Sequence, residues 1–516
     1  MITRLLVLVI LLFISIPVFA QTVDTAWVRR YNGPGNGPDY ARAITVDDSG
    51  YIYVTGNSLH STVYWDYATI KYYPDGDTAW IRRYNGSGDY YDWGCDIEVD
   101  GLGNVYVAGW SFGMGTGKDY ATIKYYPDGD TAWVRRYNGA ANELDETNCL
   151  EVDAYGNVYV TGWSKYDGID YDYTTIKYVP NGDTAWIRTY NGPGNDWDWA
   201  TVMTLDDSGN VYIGGWSIGD TTAVDFCTIK YYPNGDTAWI RRYNAPGNDN
   251  DYIEAIGVDS DGNVSITGNS WDDLTQWDYC TVRYDSSGNE LWARRYNGPG
   301  NHYDTPTALA IDDSSNIYVT GYSYSDWARN DYATIKYYPN GDTAWVRTYN
   351  GPANTNDWTY VVTLDNYGNA YVAGGSYGVG TSQDYAIIKY STDGDVAWVK
   401  RYNGPANDND VVYSIKADHS GNVYVAGPSV GVASSYDYAT IKYVPSSYLC
   451  GDINGDDEVS IPDAVYLVNY LFNQGDPPLC LPYASCADAN GNSEVTISDV
   501  VYLINYLFKS GPGPIC

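Results

Sequence analysis

The chain has 516 residues and a formal net charge of −36, with 65 Asp and Glu against 29 Lys and Arg. Such a balance excludes the basic patches that grip nucleic acid or anionic lipid, while leaving bound cations open. The 57 tyrosines and 19 tryptophans, beside only 6 phenylalanines and 3 methionines, suit a sheet protein facing water.

Residues 1–20, MITRLLVLVILLFISIPVFA, set Arg4 before an apolar run from Leu5 to Phe19 that ends at the small residue Ala20. The pattern predicts a secretory signal peptide, since the run is short and closes on a cleavage motif before Gln21. No cysteine follows the cleavage site, and no other stretch is apolar enough to span a bilayer. The mature protein is expected to be secreted or cell-surface associated, with no membrane insertion.

From residue 24 the chain repeats. The tryptophan of YYPDGDTAWIRRYNG, Trp80, recurs as Trp27, Trp133, Trp186, Trp239, Trp292, Trp345 and Trp398, always 53 residues apart. A fixed period of this length marks a propeller, solenoid or array. One unit reads as four strands: 39–48 with period-2 alternation, the β-branched and aromatic 51–56, then 66–73 and 77–86 joined by the turn Pro74-Asp75-Gly76. No window shows helical periodicity, so the unit is a four-stranded propeller blade. The last unit has strands at 411–418, 422–427 and 437–443 but no fourth, and the orphan fourth strand stands at 24–33. An eight-bladed ring follows, with the N-terminal strand completing blade eight and covering its edge. The propeller is assigned to residues 21–446 and expected to be a monomer.

These repeats, GNVYVTG followed by DYATIKYYPDGDTAWVRRYNG, resemble bacterial tandem β-propeller repeats of the SBBP type over roughly 24–446. The resemblance implies the fold and no particular reaction.

Several columns recur in every unit. Asp66 (to Asp437), a basic residue at Lys71 (to Lys442) and another at Arg29 (to Lys400) are needed eight times over, as structural braces are and a catalytic group is not. The Asp47 column begins turns such as Asp206-Asp207-Ser208-Gly209-Asn210, and even DSDGN at 259–263 lacks a twelfth-position carboxylate, so capped turns are expected. The Gly76-to-Trp80 spacing resembles the tryptophan-docking motif of eight-bladed quinoprotein dehydrogenases. The adjacent cysteines and long insertions expected of those enzymes are absent, and the motif is read as blade-on-blade docking.

Departures from the repeat carry the functional signal. Eleven tryptophans lie off the repeat column, among them Trp65, Trp93, Trp199, Trp277 and Trp327, in or beside the connections between strands two and three or between blades. Those connections share one face of the disc. There Trp110, Trp163 and Trp216 occupy one column on blades two to four and are the candidate ligand-binding residues, suited to sugar rings or peptides. Rim packing is the alternative. Glu98 and Glu151 share a column on adjacent blades and are the one candidate carboxylate pair. No catalytic residue is assigned. Cys95 with Cys149, and Cys227 with Cys280, fall on neighbouring blades; the latter two replace alanines and read as small buried residues.

At Tyr448 the composition changes, and CGDINGDDEVSIPDAVYLVNYLF from Cys450 is echoed 36 residues later from Cys486. Each copy sets oxygen ligands at EF-hand spacing: Asp452, Asn454, Asp456, Ser460 and Asp463, then Asp488, Asn490, Asn492, Thr496 and Asp499. Glu458 and Glu494 would each offer a backbone carbonyl. Val465, Leu467, Val468 and Leu471 are expected to form a buried helix face. Two such loops, each followed by one helix, resemble a type I dockerin over 451–508, within a domain assigned to 447–516. The resemblance implies two calcium ions and attachment to a cohesin-like module. Of the cysteines here, Cys450–Cys516 with Cys480–Cys486 is preferred over Cys450–Cys480 with Cys486–Cys516, because antiparallel helices bring the end of each near the other's loop.

The expectation is a secreted, non-catalytic binding protein with an aromatic glycan or peptide face. The alternative is an extracellular polysaccharide-active enzyme, a glycoside hydrolase or lyase, carried by its dockerin.

Overall fold

The computed structural model describes residues 23–60, 64–165, 170–326, 329–445, 453, 459–472 and 495–509. The chain folds as two compact units, one of them Asp24–Val444.

That unit is a ring of eight four-stranded antiparallel sheets. Blade one pairs β2 (Asp39–Val46), β3 (Ile52–Leu59), β4 (Trp65–Tyr72) and β5 (Thr78–Tyr84) in sequence order. Blade eight takes its outermost strand from the N-terminal side: β1 (Val23–Tyr31) pairs with Tyr436–Pro445. The expected closure is therefore present. The first strands of successive blades touch one another all the way round and line the central channel.

One correction concerns blade eight, where the regular inner strand is only Ser414–Ala417. Val411 N–H donates to Pro428 O at 3.1 Å, but proline has no amide to return the bond, so the ladder breaks there.

The period-53 residues weld blade to blade. Trp80 Nε1 donates to Pro127 O of the next blade at 3.1 Å, and Arg82 Nε donates to Gly129 O at 2.6 Å. Gly129 has φ +86°, and a Cβ there would lie 2.9 Å from the Trp80 ring, so the turn needs glycine for both backbone and space. Lys71 Nζ donates to Pro127 O at 3.2 Å and lies over Tyr51 and Tyr53. The Gly-to-Trp motif is thus a docking joint between blades. Asp47 caps its turn as expected, accepting from Ser49 N and Tyr51 N at 2.9 Å each and from the Tyr53 hydroxyl at 2.8 Å.

In the C-terminal region two helices, α1 (Ile461–Phe472) and α2 (Ile497–Lys509), share a core of Ile453, Leu467, Val500 and Leu503. Val468 and Leu471 pack against it as expected. Val465 does not: it is exposed, because it falls on the outer side of α1. No helix among the described residues is long and apolar enough to cross a membrane.

Candidate functional site

The disc face that carries the connections between β3 and β4, and between blades, rests on an invariant polar layer. Asp39, the first residue of β2, is fully buried and accepts from Gly33 N at 2.6 Å and Leu59 N at 3.0 Å. Its counterparts repeat this staple at Asp92, Asp145, Asp198, Asp251, Asp304, Asp357 and Asp410. Burial pushes Asp92, Asp145, Asp198, Asp251 and Asp304 up to about 6. Arg83 ties the layer together, bonding Ser58 Oγ at 2.6 Å, Asp66 at 3.1 Å and the Tyr31 hydroxyl of the preceding blade at 3.1 Å.

Two aromatic tracts stand on this base. The first crosses blades eight, one and two. It runs from Tyr436 to Tyr40 (ring centroids 5.3 Å apart), Trp65 (6.5 Å), Trp93 (5.9 Å) and Trp110, which stacks on Trp93 at 5.7 Å and 7°. The second crosses blades three to five. Trp163 meets Tyr171 at 4.7 Å and Trp199 at 4.5 Å, Trp199 stacks on Trp216 at 5.5 Å, and Tyr252 and Trp277 continue the row at 5.6 Å each.

Trp110 and Trp216 are half-buried members of these tracts, and the Lys118 ammonium lies 4.1 Å from the Trp110 ring centroid. Trp163 is only 3 % exposed, because Trp199 and Tyr171 cover its ring, so it supports the tract instead of presenting a face. Trp197 beside it is 47 % exposed. Trp327 lies outside the described residues. Sequence reasoning did not single out Trp93 and Trp199 as platform residues. Each is the direct cross-strand partner of its column neighbour, Trp93 of Trp110 and Trp199 of Trp216, and that register was the signal available.

A second cluster lines the channel. In blades one to seven the inner strand carries a β-bulge, at Arg42 in blade one and Cys95 in blade two. Residues after the bulge reach across to the next blade: Asp96 Oδ2 accepts from Leu150 N at 2.9 Å. Lys416 pairs with Glu98 at 3.7 Å, reaching past blade one, and Thr45 Oγ1 donates to Glu98 at 3.5 Å. Burial, then the charges of Glu98 and Asp96, raises Glu151 well above the usual carboxylate range. Burial, with Glu98 adding, pushes Asp96 up to about 6. The Lys416 charge opposes this in both, and Glu98 in turn raises Lys416. The suspected pair is thus part of a four-membered charged cluster on blades eight, two and three. Asp96 and Lys416 were missed: Asp96 departs from a small, neutral column, and Lys416 stands in the column of Glu98 and Glu151 itself.

Cys95, Cys149, Cys227 and Cys280 are free thiols, the last two buried as expected. Cys450, Cys480, Cys486 and Cys516 lie outside the described residues.

For the calcium loops, Asp452, Asn454, Asp456, Glu458, Asp488, Asn490, Asn492 and Glu494 also lie outside the described residues. Ser460, Asp463, Thr496 and Asp499 are described. Asp463 and Asp499 are fully buried at the starts of α1 and α2. Asp463 accepts from Ile453 N at 2.7 Å and Ser460 N at 2.8 Å, which draws the loop's two ends together. Asp499 accepts from Thr496 N at 2.8 Å. Buried carboxylates closing an all-oxygen donor set fit a hard divalent cation.

The SBBP β-propeller repeat model matches residues 26–61 and 291–326, and the dockerin type I model matches 450–508. No curated protein sequence matches the chain. Among solved structures, the polysaccharide lyase Uly1 aligns at 12 % identity and TM-score 0.42, over 68 % of this chain and 89 % of its own. The α-L-arabinanase of Penicillium chrysogenum, complexed with arabinobiose, aligns at 10 % identity and TM-score 0.36, over 57 % of this chain and 92 % of its own. Likeness of this degree carries no argument about chemistry. The family matches and the ring geometry together establish a chain of SBBP β-propeller repeats with a C-terminal type I dockerin domain.

Proposed function

We propose that the chain is an exported binding protein whose propeller (21–446) offers its aromatic face to a glycan, and whose C-terminal module (447–516) attaches it to a cohesin-like partner. Residues 1–20 serve as the cleaved signal peptide. The observation that carries the reading is the pair of half-exposed indole tracts on one disc face. Indole faces stack on the C–H faces of sugar rings, and rows of them suit an extended chain. In the C-terminal module two calcium ions are held by Asp452, Asn454, Asp456, Ser460 and Asp463, and by Asp488, Asn490, Asn492, Thr496 and Asp499, with the carbonyls of Glu458 and Glu494. Calcium bound there would supply the positive charge that draws the carboxylates and carbonyls of each loop together. Cys450–Cys516 and Cys480–Cys486 staple this small domain, and non-reducing peptide mapping checks the pairing: a Cys450–Cys480 fragment would refute it.

Glycan-array binding by the full chain, alongside a turnover assay on the same glycans, tests the reading. Binding without turnover is expected. Replacing Trp110 and Trp216 by Ala should abolish binding while leaving the melting temperature nearly unchanged.

The channel cluster favours one second reading, a polysaccharide-active enzyme. There Glu151, whose proton burial holds more tightly, would act as acid beside Glu98, the partner of Lys416. Turnover lost in both Glu98→Gln and Glu151→Gln would establish it.

A further inference from the structure

Arg42 is the bulge residue of blade one, and a bulge re-aims the side chain it carries. Its guanidinium carbon lies 4.7 Å from the Trp93 ring centroid, 5.1 Å from Tyr413 and 5.6 Å from Tyr40. These rings belong to blades two, eight and one, so Arg42 sits within the first aromatic tract, at the rim of the channel. Most cations of the propeller occupy repeat columns that weld blades. Of those that do not, Lys118 pairs with Glu146, Lys165 with Glu143 and Lys416 with Glu98, while Arg329 begins the strand Arg329–Tyr337 in blade six. Arg42 meets no carboxylate among the described residues. Its Nε donates a long bond of 3.5 Å to Asn57 Oδ1, and among the described residues neither terminal nitrogen meets an acceptor.

Aromatic rings engage a guanidinium through its flat faces, which leaves the in-plane N–H groups free. Those edges form the two-pronged donor that matches a carboxylate. We infer that Arg42 reads the carboxylate of a single uronic-acid unit while Trp110 and Trp65 stack on neighbouring neutral sugar rings, Trp93 holding Arg42 in place between them. This deepens the glycan reading and rests on it. The net charge of −36 selects the kind of glycan: a dense polyanion is repelled, whereas one carboxylate per footprint matches the one arginine set among the rings of this tract. An acidic peptide carries the same carboxylate but lacks the flat C–H rings that an indole row accommodates.

The test is an array on which each uronate-containing glycan stands beside its carboxyl-reduced form, probed with the full wild-type chain at physiological salt. The strongest signals should come from sparsely uronated glycans and fall at least tenfold on reduction. Arg42→Gln should lower the acidic-to-reduced binding ratio tenfold or more, and Arg42→Lys should restore only part of it. Wild-type signals indifferent to carboxyl reduction would overturn the inference and leave the glycan reading standing. Silence across the whole array, confirmed in solution, would remove both. Equal binding of a glutamate-rich peptide would overturn the ligand class. A large drop in melting temperature for Arg42→Gln, with an unchanged acidic-to-reduced ratio, would make Arg42 a brace between blades.

Discussion

The two faces of the propeller are built from the same 53-residue unit and have been treated differently. On the face of the Asp47 and Pro74-Asp75-Gly76 turns, eight copies remain nearly interchangeable. Tryptophan, arginine and glycine interlock from blade to blade, and equivalent clefts recur between blades one and two, four and five, six and seven, and eight and one. On the opposite face the first layer is just as regular, with one buried aspartate per blade, but the side chains above it differ in every blade. Trp110, Trp216 and Pro428 share one column, and Arg42, Cys95 and Tyr413 another. Closure of the ring demands identical joints, and one face supplies them. The other is free to diverge, and its divergence gathers aromatic and charged groups that closure does not need.

The sharpest way to break that contrast is to remove the shared requirement. Deleting residues 24–33 takes away β1, uncovers the edge of Tyr436–Pro445 and leaves blade eight with three strands. The expected outcome in calorimetry is loss of a single cooperative propeller transition, with aggregation. A variant that melts normally would mean the ring does not depend on its clasp.

Next in size are single tryptophans on the two faces. Trp239, buried against the following blade, should cost about 3–5 kcal/mol on replacement by Ala. Trp216→Ala, half-exposed on the divergent face, should cost about 1 kcal/mol or less. Trp163→Ala should resemble Trp239→Ala, since its ring is covered. Denaturant unfolding of the three variants compares them directly, and equal losses would erase the distinction between joint and platform.

The sequence made the regular part legible because a joint repeated eight times announces itself as a column. Blade count, strand order, the N-terminal clasp and the Trp–Gly docking all follow from such columns. The site was harder to read, because its members are exceptions to the repeat drawn from several columns. Asp96 and Lys416 meet only when blades eight, two and three curve around one channel, and no local spacing encodes that approach. Trp163 misled for the converse reason: it shares a column with Trp110 and Trp216, but blade three adds Tyr171 beside it and blade four adds Trp199, which together bury it. The bulge at Arg42 left no mark in the hydrophobic alternation.

Calcium removal should act on one module alone. With chelator, α1 and α2, which carry Asp463 and Asp499 in their first turns, should lose helical circular dichroism, while the propeller's melting transition stays in place. Asp463→Ala should weaken calcium binding in the first loop, read by calorimetric titration. A propeller that destabilises in parallel would show that it too depends on the ion.

The smallest effect tests the regular layer beneath the divergent face. Each buried aspartate of the Asp39 column is held above its ordinary value of 3.8 by burial, five of them at about 6. A carboxyl whose folded pKa is raised binds its proton more tightly in the ring than in the unfolded chain. Its stabilising contribution is therefore fully present below about pH 4 and lost as the pH rises through about 6. The propeller transition should then melt higher at pH 5 than at pH 8. Relief of the large negative charge acts in the same direction, so the wild-type shift alone does not assign it. Asp198→Asn with Asp251→Asn separates the two, because it removes two titrating groups while the remaining surface charge still titrates. Asparagine keeps an oxygen to accept from Gly192 N and Ala245 N. The double variant should show a flatter pH profile, with most of its gain at pH 8. An unchanged slope would mean that the amide bonds from Gly192 and Ala245 already offset burial, and that this layer is electrostatically neutral to the fold.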